Sequence, residues 1–331
     1  MLLPQLGSRW GLIATSALAT LSSMALAWSQ RKTNRPFAVT VAVVAPMLFL
    51  MSARVAVDPF NVAFERFHGR ERLLWREEGA QTTVAIHERP GNPPMRIMYL
   101  DGNHHANDSA STAFVHHRIG ALPVMLHQQP RTAVVGGSAF FKNINFDLLA
   151  RPNVRLHVDD GRNFLLMNRK KYDVITADII LPRHAGAGSL YSREYFELVR
   201  KSLADGGLVM QWNGGDSATE YKLLLRTFLS VFPHTTLWVE GGLMLGSTRP
   251  FTISRTAYEV RRQTFEQFPW DLATLKRIYT AGPEEAKAFA GDGPVLSDDK
   301  PVIEYFLSLP KNDTPGGYSG PIARFEHILT P

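Results

Sequence analysis

Four polar residues stand at the ends of short apolar runs, and their spacing is the first chemical signal in the sequence. Val154 to Val158 ends at Asp159 and Asp160. Val174 to Ala177 ends at Asp178, and Leu208 to Met210 ends at Gln211. Carboxylates suit proton abstraction and the binding of amines or sugar hydroxyls, and a glutamine amide both donates and accepts. These groups act together only if the runs are strands of one parallel sheet, where ligands sit outside the carboxyl ends. Ser192 to Leu203 supplies a connecting helix, with Tyr195, Phe196, Leu198, Val199 and Leu203 on a helical period and a stop signal at Asp205-Gly206-Gly207. Strand, helix, strand predicts a parallel α/β domain. Upstream, T-A-V-V-G-G at Thr132 to Gly137 reads as a buried strand running into glycines. Gly136 and Gly137 there would let the backbone approach a ligand closely.

These stretches resemble the spermidine synthase (polyamine aminopropyltransferase) family. Y-D-V-I-T-A-D-I-I-L-P is similar to the family's Y-D-V-I-x-x-D-S-S-D-P, and V-D-D-G-R-N-F-L resembles the block before it. Leu100-Asp101-Gly102 resembles the start of L-D-G-x-x-Q. Membrane-fused bacterial members resemble the whole chain. The resemblance implies a Rossmann-like, methyltransferase-type parallel sheet preceded by a small β-hairpin domain. It also implies aminopropyl transfer from decarboxylated S-adenosylmethionine to an amine, in polyamine biosynthesis. No cofactor is bound permanently, the S-adenosyl donor being a co-substrate. Asp178 then matches the general base, and Asp160 the acceptor of the adenine amine. Gln81 matches a glutamine near the donor, with Asp159, Gly136 and Gly137 on the same side. Asp101, His105 and Gln211 fall to the acceptor. Gly186-Ala187-Gly188 looks like the family's gate loop. Ser297-Asp298-Asp299-Lys300-Pro301, with Glu304 and Tyr305, resembles the T-D-D-x-P-x-x-E-Y terminus of membrane-fused members.

The departures are specific. Leu181 replaces the second acid of D-S-S-D-P, His105 the glutamine of L-D-G-x-x-Q, and Val115 a tyrosine further on. From Gly136 to Gly161 is 25 residues, about one βα unit (roughly 30 residues) short of the family pattern. The lost unit carries the acid that holds the donor's ribose. Ser138 to Asn153 can hold one short helix, so Val154 to Val158 is expected to pair directly beside Thr132 to Gly136. That pairing would bring Asp159 or Asp160 to the lost acid's place; the competing expectation is a broken donor pocket. Spermidine formation from putrescine is accordingly expected to be weak or absent. Two other readings stand: an S-adenosylmethionine-dependent methyltransferase-like enzyme, and a non-catalytic membrane-tethered pseudoenzyme or binding domain.

Bulk properties narrow the field. The 331 residues carry a formal charge of +6 without a basic block interleaved with aromatics, which argues against nucleic acid as a partner. With no cysteine, disulfides, thiolate metal sites and cysteine nucleophiles are excluded. His104, His105, His116 and His117 come as adjacent pairs that face apart, so no metal site is expected. Gly11 to Trp28 and Phe37 to Val57 read as two membrane-crossing helices, with Arg54 snorkelling. Arg31, Lys32 and Arg35 in their loop number fewer than Arg9, Arg54, Arg66, Arg70, Arg72 and Arg76 outside it. That asymmetry places the large domain in the cytoplasm, at a bacterial inner (plasma) membrane. The expected organisation is a membrane region 1–58, a linker 59–80, a small β domain 81–110, an α/β domain 111–310 and a tail 311–331. Expected partners are the lipid bilayer and a small-molecule amine, with a homodimer as one option.

Overall fold

The computed structural model describes residues 3–55, 59–69, 71–78, 83–136, 151–157, 159–177, 181–182, 184, 186–264, 270–305 and 314–331. It divides into two compact units, Met1–Ser109 and Ala110–Pro331.

The first unit opens with a helical hairpin, α1 (Leu3–Gln30) and α2 (Arg35–Val55). Within α1, Arg9–Gln30 is long and apolar enough to cross a bilayer; the apolar part of α2, Arg35–Met51, is shorter. Their large apolar side chains point outward: Trp10, Leu18, Leu21, Val43, Met47 and Leu50 are all exposed. Small Ala27 and Ala38 are buried near the turn. Next come α3 (Pro59–His68) and a four-stranded antiparallel meander of β1 (Arg72–Glu78), β2 (Thr83–Arg89), β3 (Met95–Leu100) and β4 (Asn103–Asn107). Much of the expected linker is therefore structured, and the expected hairpin has four strands. Phe64 of α3 docks the helix on the sheet, stacked on buried His87 at 3.7 Å and edge-on to Tyr99 at 4.7 Å. Burial lowers the His87 pKa and so favours the neutral ring.

The second unit begins with α4 (Ala110–Leu126) and β5 (Ala133–Gly136). It continues through α5 (Gly161–Met167), β6 (Tyr172–Ala177), α6 (Arg193–Ser202), β7 (Leu203–Trp212), α7 (Ala218–Leu229), β8 (Thr236–Trp238) and β9 (Leu243–Gly246). The remainder is β10 (Ile253–Ser254), α8 (Arg255–Thr264), α9 (Leu272–Ile278), β11 (Tyr279–Ala281), α10 (Pro283–Ala290) and β12 (Leu329–Thr330). The main sheet has the order β11-β8-β9-β7-β6-β5. Within this sheet, among the described residues, β5, β6 and β7 alone pair in parallel; β9 runs antiparallel to β7 and β8, and β11 antiparallel to β8. The expected parallel sheet is thus mixed. Val239, Glu240 and Gly241 all take positive φ between β8 and β9, which turns the chain straight back on itself.

Alternate strand residues serve two cores. Ile175, Ala177, Val209 and Met244 pack with α6 and α7, while Leu208, Met210 and Leu245 pack with α4, α8 and α9. Sequence-local signals start the helices: Ser192 caps α6, and Ser217 with Glu220 forms a capping box on α7. Pro123 lies inside α4 without ending it. Its missing N–H leaves the Ile119 carbonyl without a helical donor, and the buried Thr176 hydroxyl of β6 donates to it at 2.8 Å. The proline thus becomes the point where α4 is fastened to the sheet. Asp173 opens the β5–β6 pair. Burial raises its pKa, but hydrogen bonds from the Arg131 and Thr132 amides and the Thr132 hydroxyl outweigh that and leave it lowered.

One expectation is overturned. Among the described residues β5 is hydrogen-bonded to β6 alone and forms the sheet edge, and 154–157 lie in no strand. A parallel strand covered on both faces needs near-continuous apolar residues. V-R-L-H-V alternates with Arg155 and His157 and cannot supply them, and Leu156 is left exposed. Residues 314–331 pack into the second unit, where β12 pairs with β10 and Phe325 and Ile328 are buried.

Candidate functional site

The carboxyl ends of three strands lie in register. Gly136 is opposite Ala177, Ala177 opposite Gln211, and Gln211 opposite Met244. Ala177, the last residue of β6, is thus the middle of the three. Asp178, Gln81 and Gly137 themselves lie outside the described residues. Gln211 is fully buried on the α7 side of the sheet, and among the described residues neither Oε1 nor Nε2 has a hydrogen-bond partner. A buried amide without partners costs about 1–3 kcal/mol. Such a group at a sheet's carboxyl edge is suited to a polar ligand atom.

Asp159 and Asp160 precede α5. Asp160 is its N-cap, accepting from the Asn163 amide at 2.9 Å, and Asp159 accepts from the Asp160 amide at 2.8 Å. One oxygen of each carboxylate is therefore engaged in building the helix start. α5 also reaches the loop that follows β6: Arg162 donates to the Ser189 carbonyl at 2.8 Å. The structure thereby brings the start of α5 beside the 186–190 loop.

That loop is held rather than open. It forms a short 3-10 turn, Ala187–Leu190, with Ala187 and Gly188 buried. Gly186 sits at φ +83°, and a Cβ on Gly188 would lie 2.7 Å from Glu304 Oε1. The two glycines are required by conformation and close approach. Glu304 accepts from the Gly186 amide at 3.1 Å and the Gly188 amide at 2.9 Å. Asp298 makes a two-pronged pair with Arg162 at 2.8 and 2.5 Å. Those bonds lower the Asp298 pKa and outweigh the opposing effect of burial. Arg162 was not singled out from sequence, and its partner lies 136 positions away; only the S-D-D-K-P-V-I-E pattern hinted at a role.

Asp101 and His105 belong to the first unit. Asp101 (φ +50°) and Gly102 (φ +79°) form the two-residue turn between β3 and β4, and Asp101 Oδ1 accepts from the Thr83 amide at 2.7 Å. His105 lies in β4, half-buried. Among the described residues no group of three or more His, Asp or Glu could hold a metal ion.

The family model described as the Spermine/spermidine synthase domain matches residues 132–226. A polyamine aminopropyltransferase of Yersinia pseudotuberculosis (serotype O:1b) is 25% identical over 191 positions, covering 47% of this chain and 62% of its own length. One of Serratia proteamaculans is 24% identical and covered over 64% of its length. The chain therefore spans less than two thirds of these relatives. The Yersinia alignment uses about 156 of the 331 residues here, so about 35 of its positions are filled by the relative alone. A spermidine synthase from Thermotoga maritima aligns with TM-score 0.46 at 15% identity, covering 61% of this chain and 80% of its own. A probable spermidine synthase from Corynebacterium glutamicum gives 0.45 at 17%, covering 73% and 99%. The chain is spermidine synthase-like, and residues 132–226 carry that likeness.

Proposed function

We propose that this protein is a membrane-anchored aminopropyltransferase of reduced capacity, taking decarboxylated S-adenosylmethionine as donor and a small amine as acceptor. The observation that carries the reading is the alignment of Gly136, Ala177 and Gln211 at one sheet edge, with the orphaned Gln211 amide buried there. In the reaction the neutral amine nitrogen attacks the methylene beside the sulfonium. A C–N bond forms, the C–S bond breaks, and the electron pair stays on sulfur as a thioether. Asp178 takes the proton that the amine must lose. Proximity accelerates the displacement only when the acceptor is held in line with the C–S bond. Leu181 removes one anionic partner for a second ammonium, which disfavours putrescine in particular.

The reduced capacity follows from the sheet. β5 is its edge among the described residues, and the βα unit expected to carry the ribose-holding acid has no sequence to make it. That same observation supports a second reading, a non-catalytic domain that binds S-adenosyl compounds. Anchoring through α1 rests on its length and outward apolar side chains, and the cytoplasmic side for the second unit rests on the arginine distribution.

The test is made on the full chain in detergent. The melting temperature is followed with decarboxylated S-adenosylmethionine and with methylthioadenosine, alongside product formation from several amines. Stabilisation with turnover well below about 1 per second is the expected result. Asp178→Asn should abolish turnover and leave the donor's stabilisation nearly intact. Stabilisation without turnover on any amine would favour the binding domain, and no stabilisation would defeat both readings.

A further inference from the structure

The segment from Leu296 to Glu304 is laid across the second unit by bonds of three kinds. Its backbone is fixed at the start of α6, where the Arg193 amide donates to the Leu296 carbonyl and the Asp298 amide to Glu194. The Leu296 amide donates to buried Thr227 of α7 at 2.8 Å. Two of its carboxylates then reach outward. Asp298 grips Arg162 of α5, which also holds the Ser189 carbonyl, and Glu304 receives two amides of the loop that follows β6. A carboxylate accepting two backbone N–H groups is a strong, directional hold, because each bond is charge-assisted.

We infer that Asp298 and Glu304 form a two-point clasp that fixes the 186–190 loop against the start of α5. For catalysis they are positioning residues for the acceptor amine. The loop follows β6 in sequence, and β6 ends at Ala177, opposite Gly136 and Gln211. Gly188 fits the clasp because any larger residue would displace the Glu304 carboxylate. The clasp stands on geometry alone; its effect on the amine rests on the aminopropyl-transfer reading.

Hydrogen exchange on the full chain in detergent tests the clasp directly. Glu304→Gln keeps the shape of the side chain but places an NH2 group against the loop amides. Gly188→Ala displaces the carboxylate while leaving Glu304 in place. Both should speed exchange of the 186–188 amides about tenfold or more, with β7 and α7 unchanged. Wild-type exchange in both variants would overturn the clasp. Calorimetric titration with n-butylamine, which lacks the second ammonium that Leu181 disfavours, and, separately, with decarboxylated S-adenosylmethionine tests the positioning role. The variants should lose about fivefold or more in amine affinity, keep donor affinity within about twofold, and regain part of the loss in Glu304→Asp. Equal losses for both ligands, or none, would overturn it. If the wild type binds neither ligand, the aminopropyl-transfer reading and the positioning role fall together, while the exchange result still decides the clasp.

Discussion

At Gln211 a buried amide without partners is a liability in the free protein and an asset when a ligand arrives. Gln211→Met removes the unsatisfied atoms at similar volume. It should leave the melting temperature unchanged or raise it by a few degrees, while abolishing stabilisation by the amine. A melting temperature several degrees lower would mean that the amide is satisfied in solution and is part of the core instead. Asp298 offers a pH test. Its pKa is lowered by Arg162, so its contribution is fully present above the ordinary carboxylate pKa of about 3.9. It is lost as pH falls through the lower folded value. The difference in melting temperature between wild type and Asp298→Asn should stay constant from about pH 8 to 5 and close only below about pH 4. A difference that fades near neutrality would implicate another group.

Among the elements, the junction of α4 and β6 shows how a local defect becomes a tertiary contact. Pro123 frees the Ile119 carbonyl, and the Thr176 hydroxyl occupies it. Thr176→Val is nearly isosteric and leaves that carbonyl buried without a donor, at a cost of about 1–3 kcal/mol in chemical denaturation. Pro123→Ala in the same background restores a helical N–H and should recover part of the loss. Absence of recovery would show that the hydroxyl acts in some other way. The capping box of α7 is a simpler case: Ser217→Ala should cost about 1 kcal/mol, read in the same experiment.

For the molecule as a whole, the hairpin and the arginine distribution predict attachment through residues 1–58 with the second unit facing the cytoplasm. The chain should stay in the membrane fraction through carbonate extraction, and protease added to intact cells should leave the second unit uncut. Release by carbonate would remove the anchoring, and digestion from outside would reverse the orientation. Apolar side chains facing outward along α1 and α2 are the physical basis, since burying each large one in hydrocarbon gains about 1.5–3 kcal/mol.

What the sequence determined by itself was local or periodic. The runs around Val174–Ala177 and Leu208–Met210 became β6 and β7, and Ser192 to Leu203 became α6 with Ser192 as its cap, because capping and hydrophobic period act within a few residues. The motif between Tyr172 and Gln211 was legible for the same reason, and with it the family likeness. The partners of each strand were decided only by the tertiary structure. V-R-L-H-V has strand-like alternation, but a strand forms where a hydrogen-bonding edge and two covering faces await it, and this segment can bury only one face. The direction of β9, the four strands of the first unit and the return of residues 314–331 depend likewise on packing between distant segments. So does the clasp. Arg162 and Asp298 are separated by 136 positions, and no local rule pairs an arginine with one carboxylate among many. Their geometry exists only once α5, the 186–190 loop and the segment ending at Glu304 have been brought together by the core beneath them.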